Sequence, residues 1–142
     1  MKGYITKSAA AASDEVFAFK ATAEVRTFSQ IIGHIADSNY MICSAAAEEK
    51  SPSGGDIEKT KTTKADLSKA LAESFAYCDK VFAGMTDATG AKTVKFMMSG
   101  DMAKLSILSF NTAHDWEHYG NLVTYMRLNK MVPPSSQGGM DR

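Results

Sequence analysis

The sequence has no run of about 20 apolar residues, the length a helix needs to cross a bilayer. It has no net charge either, since 16 Lys and Arg balance 16 Asp and Glu. That excludes the basic footprint by which proteins hold nucleic acid or an anionic membrane surface. Cysteine is scarce: Cys43 and Cys78 stand far apart and belong to no CxxC pair. Neither a disulfide framework nor a cysteine zinc site is expected, and both residues read as buried free thiols. The opening MKGYITKSAAAASDEVF lacks the apolar centre of a signal peptide. Cytoplasm is therefore the default compartment, although a leader already removed would leave no trace. No internal repeat is present.

What remains is a chain of 142 residues, 44% hydrophobic and 23% charged, which fits a single globular domain over 1–142. Lys2 to Ala12 is alanine-rich and can form about three turns of helix. SDEVFAFKATAEV shows no clean period and reads as an extended connection, with Phe17 and Phe19 against the core. TFSQ is a capping box that opens a second helix at Thr27, running to about Glu49 with Ile31, Ile35, Met41 and Ile42 at near-helical spacing. SPSGGD at 51–56 is loop chemistry. A third helix opens near Thr63 on an apolar stripe of Leu67, Leu71, Phe75, Cys78, Phe82 and Met85, and stops around Gly84 to Asp87. TDATG is a turn, and KTVKFMM at 92–98 reads as extended. A fourth helix is expected from about Asp101 to Met131, stopped by Pro133 and Pro134. The segment 135–142 reads as a disordered tail. Three long amphipathic helices and a shorter one point to an all-α four-helix bundle.

The fourth helix carries HDWEH, with His114 and His118 four residues apart. At 100° per residue the two lie about 40° apart on the helix surface. Ile107, Asn111, His114, His118, Asn121 and Tyr125 share that stripe. A polar patch turned to a core must find partners, and a bound metal would supply them. The pattern is near the zinc-protease signature, but no histidine or glutamate follows His118 to complete such a site. The remaining histidine, His34 in GHIADSNY, shares a helix face with Ile31, Ser38, Met41 and Ala45. Two core-facing histidines on one helix and one on another can converge in a bundle interior, giving three imidazoles with open coordination positions. The plainer alternative is a hydrogen-bonded core histidine at 34 and a surface pair at 114 and 118.

GHIADSNY, followed some eighty residues later by NTAHDWEHYGNLVTYMRLNKMVPPSS, resembles the DinB-like family. H-x-x-x-H-Y-G-N followed by Y-x-R and P-P-S is the specific part, and the resemblance runs from about Lys2 to Ser136. It implies an up-down-down-up four-helix bundle holding a divalent metal, zinc or nickel, on His34, His114 and His118. It also implies a homodimer, and for relatives of known activity a transferase or isomerase that uses a low-molecular-weight thiol. The family's first helix usually begins a turn or more earlier than Lys2.

The leading expectation is a metal-dependent enzyme acting on a small molecule, with a thiol as co-substrate and no nucleic-acid or membrane partner. An open metal position can deprotonate a thiol or activate water, so a hydrolase is the alternative, as is a non-catalytic metal-binding or structural bundle. Asp37, one turn beyond His34, is a candidate to orient an imidazole or act as a base. Asn111, Asn121 and Tyr125 are candidate neighbours of the metal ligands or pocket residues. Trp116 points nearly opposite to the histidines and reads as packed against a helix or a partner. Asp115 has no assigned role.

Overall fold

A computed structural model describes residues 1–97 and 100–137. Four helices of ten residues or more carry the fold: α1 (Lys2–Ala11), α3 (Phe28–Ala47), α5 (Lys64–Gly84) and α7 (Lys104–Leu128). Shorter helices sit between them: α2 (Asp14–Ala18), α4 (Ile57–Thr60) and α6 (Asp87–Gly90). Strands β1 (Thr93–Lys95) and β2 (Asp101–Ala103) pair antiparallel, with Val94 opposite Met102. Among the described residues the fold is thus all-α apart from one small ribbon.

Two helix starts follow the caps written in the sequence. Thr27 accepts from the Gln30 N–H while Gln30 reaches back to the Thr27 N–H, the reciprocal capping box. Thr63 caps α5 by accepting from the Asp66 N–H. Other expectations are corrected. Residues 14–18 are helical rather than extended, because Ser13 caps the turn and Asp14 and Glu15 lie in its first turn. Asp101 does not begin the last helix, since residues 101–103 pair with β1 and α7 starts at Lys104. Ser135 and Ser136, expected in a disordered tail, form a 3-10 turn (Pro134–Ser136) held by Tyr119, whose hydroxyl donates to Ser135 Oγ and accepts from its N–H. Residue 98 of the expected extended stretch and 138–142 of the expected tail lie outside the described residues.

α3 packs against α4, α5 and α7, and buries residues on every side: Ile31, Ile32, Gly33, Ile35, Ala36, Ser38 and Asn39. A helix apolar on all faces belongs in the middle of a fold. The core falls into two clusters. One gathers around Phe28, Ile32, Leu71, Leu122 and Met126, the other around Ile42, Ile107 and Leu108. Between them in sequence on α3 and α7 lie polar residues that hydrogen-bond to one another. The fully buried Asn39 donates to Ser74 Oγ at 3.3 Å and accepts from Asn111 Nδ2 at 3.1 Å, so α5, α3 and α7 are stitched across the core. Met41 and Phe82, placed on core stripes by their spacing, are 43% and 42% exposed. The stripes are narrower than their apolar residues suggested.

Cys43 and Cys78 are not free thiols. They form a disulfide between α3 and α5, with Cα atoms 5.5 Å apart across a sequence separation of 35. Spacing in sequence gave no sign of this, because only the side-by-side packing of the two helices brings the residues together.

Candidate metal centre

His34 projects from α3, and His114 and His118 project one turn apart from α7. Their Nε2 atoms face one another. His114 Nε2 is 3.2 Å from His34 Nε2 and 3.0 Å from His118 Nε2. One ligand atom from each lies within 4.8 Å of the others, and the three form a group able to hold a metal ion. Tetrahedral coordination at about 2.1 Å spaces ligand nitrogens roughly 3.4 Å apart, close to the two edges seen here.

The surroundings keep the rings neutral. Burial pushes the His118 imidazole down to about 4, assisted by its two histidine neighbours and by Arg26. Burial also lowers His114, with His34 adding to it, and lowers His34, with Arg26 adding to it. Neutral imidazoles are the form that binds metal. A divalent ion therefore fits the donor set: three neutral nitrogens converge with little else to satisfy their lone pairs.

Each ring's far nitrogen decides how firmly it is aimed. His34 Nδ1 lies 3.3 Å from Glu58 Oε2, and Glu58 Oε1 accepts from Arg26 Nε at 2.8 Å. His118 Nδ1 lies 3.4 Å from the Asn121 side-chain amide, whose oxygen reaches the same place after a half-turn. Among the described residues His114 Nδ1 is buried without a partner, as is Asn111 Oδ1 one turn earlier on α7.

The residues singled out from sequence divide accordingly. Asp37 does not touch an imidazole. Its two carboxylate oxygens accept from the N–H groups of Ile57 and Glu58 at 3.0 and 2.9 Å, holding the start of α4. Asn111 serves the buried link to Asn39. Asn121 is exposed rather than core-facing, and lines a cavity with His118. The Tyr125 hydroxyl donates to the Arg26 carbonyl at 2.6 Å, which pins the segment carrying Arg26 against α7. Glu58 and Arg26 went unnoticed in the sequence, since Glu58 follows a loop and Arg26 precedes a cap, where neither periodicity nor motif spacing points to a site.

Two cavities flank the histidines. One of about 580 Å³ is lined by Lys20, Arg26, His118, Asn121 and Tyr125 among others. The other, about 410 Å³, is lined by His34, Asp37, Ser38, Met41 and the Ser51–Gly55 loop. Glu58 borders both.

The sequence matches the DinB superfamily over residues 4–122. The chain belongs to the DinB superfamily. Its fold is similar to that of a DinB-like protein from Bacillus subtilis, with a TM-score of 0.72 over 92% of this chain and 88% of that one, at 15% identity. No curated protein matches it. Membership of the superfamily and the three-histidine group together fit a metal-binding DinB-like protein.

Trp116 and Asp115 lie apart from the histidine group. Trp116 is 51% exposed and meets Tyr4 and Tyr119 edge-on. Asp115 is 4% exposed, its Oδ1 has no partner among the described residues, and burial raises its carboxyl to about 7. An acid with a raised folded pKa destabilises the fold progressively above its unfolded value of about 3.9, and fully above about 7. Asp115→Asn should therefore stabilise the metal-free protein by about 1–3 kcal/mol at pH 8, less than the full shift because an amide is still buried. The gain should vanish near pH 4 in urea unfolding, and an equal gain at both pH values would contradict burial of the charge as its source.

Proposed function

We propose that this protein is a metal-dependent enzyme acting on a small molecule, of the thiol-dependent transferase type, with zinc or nickel on His34, His114 and His118. The observation that carries the reading is the convergence of three neutral imidazoles beside open cavities. Three protein ligands leave positions for an exogenous group, which is the arrangement of a catalytic rather than a structural site. When bound, the metal supplies a Lewis-acid position that favours the thiolate or hydroxide form at neutral pH.

The chain's own residues do the rest. Glu58 and Asn121 stand behind two of the three rings. The apolar packing of α3 against α7 keeps the rings together. The larger cavity mixes Lys20 and Arg26 with Glu24, Glu58 and Glu117, so its polar lining offers both signs of charge to a small polar substrate. A homodimer is part of the same proposal, with the family resemblance as its support.

Cobalt substitution tests the reading. Adding a low-molecular-weight thiol or azide to the cobalt form should change its visible absorption, because an open position accepts the new ligand. A panel of thiols with a generic electrophile should then give turnover that is lost on metal removal. An unchanged spectrum would mean a closed, structural site, and turnover without added thiol would favour the hydrolase.

A further inference from the structure

α4 has four residues, too few to be stable as a helix alone. It is held from outside on one face of α3. Asp37 caps it with both carboxylate oxygens, and Ile57 is buried at 7% exposure. Gly33, one turn before Asp37, lets it come close: a Cβ at Gly33 would stand 2.6 Å from Glu58 Cα. The residue so delivered is Glu58, whose oxygens are divided between Arg26 Nε and His34 Nδ1. Gly33, His34 and Asp37 thus combine on neighbouring positions of one helix the ligand, the close approach and the anchor of the segment behind the ligand.

We propose that Glu58, held in place by the Asp37-capped α4, is a positioning residue that fixes the His34 ring with its Nδ1–H donated to the carboxylate and its Nε2 turned to the metal position. A carboxylate behind a ligating histidine fixes tautomer and ring direction and makes the ligand more basic. His34 is the sole α3 ligand, and its side chain is 23% exposed, so packing alone leaves the ring room to turn. Asp37 acts at one remove: it touches the backbone of α4, and through it Glu58. The proposal rests on the metal-site reading for its effect on affinity, but the state of the His34 ring in metal-free protein is independent of it.

Two measurements test this on the full chain. Long-range proton–nitrogen NMR of the metal-free, histidine-labelled protein should find His34 protonated at Nδ1. In Glu58→Ala the proton should move to Nε2, and Glu58→Gln, which keeps an acceptor oxygen, should restore the Nδ1–H form in part. Zinc affinity by chelator competition should fall about 10–100-fold in Glu58→Ala. Asp37→Asn should lower affinity less, and should add nothing in the Glu58→Ala background. The same His34 tautomer in wild type and Glu58→Ala, or an affinity loss from Asp37→Asn undiminished in that background, would overturn the proposal. So would a lowered melting temperature with unchanged zinc affinity. A tautomer shift in a protein that binds no zinc would defeat the metal reading and leave the positioning role standing.

Discussion

His34→Ala should lower zinc or nickel affinity at pH 7 by about 10²–10³-fold. The magnitude follows from the apparent binding energy of structural zinc, about 10–16 kcal/mol, shared among the ligands. One ligand of three or four then carries roughly 3–4 kcal/mol, and each 1.4 kcal/mol is tenfold. His34 is the informative choice because, of the three clustered histidines, it alone lies outside α7. Without it, His114 and His118 remain a pair on one helix, and metal no longer ties α3 to α7. Thermal shift gives a second readout. Metal that binds only the folded state raises its stability in proportion to the logarithm of the free metal concentration over Kd. Zinc should therefore raise the melting temperature of the wild type and barely move that of His34→Ala. The metal-free variant should fold normally, since the replaced side chain is 23% exposed and borders a surface cavity, so its removal leaves no sealed void. Equal affinities in the two proteins would mean that the metal, if bound, does not use both helices.

The histidine site was legible because its determinants are local and periodic. A capping box set the phase of α3, so His34 could be placed on a face. The four-residue spacing of His114 and His118 put both on one side of α7. The partners of those histidines were less legible. Glu58 lies in a single turn after the SPSGGD loop, and reaches His34 only because α4 folds back over Gly33. Asp37 was noticed for its spacing from His34, but its carboxylate faces the backbone of α4, a segment that no sequence period announces. Asp101 illustrates the opposite error. It is a good helix-starting residue, but strand pairing with Lys95 claims it first. Local preference selects among conformations only where no tertiary partner outbids it.

The Cys43–Cys78 crosslink is the feature furthest from the sequence reading, and its removal should produce the largest change in stability. The bond closes a loop with a separation of 35 residues, for which the chain-entropy estimate is about 3–4 kcal/mol. Cys43→Ala with Cys78→Ala should accordingly lower the melting temperature by roughly 10–15 °C. Both sulfurs are buried, at 0% and 3% residue exposure, so truncation adds a small packing loss to the entropic one. A reductant separates the two contributions. It should destabilise the wild type toward the double variant and leave the double variant unchanged. Unfolding the protein without reductant and titrating thiols checks the bond itself: none should react, and two reactive thiols would remove the basis of the prediction. Such a bond persists chiefly in oxidising compartments, so the same titration on protein taken directly from its source bears on where the chain works. The effect on the histidine site should be much smaller. The closed loop contains α4, but α4 is held by the burial of Ile57 and by Asp37 and the Gly33 approach, which lie on α3 before Cys43 and do not depend on the crosslink. Zinc affinity of the double variant should stay within a few-fold of wild type below its melting temperature, which would place the cystine in the stability of the α3–α5 pair and the Asp37–Glu58 pair in the geometry of the metal ligand.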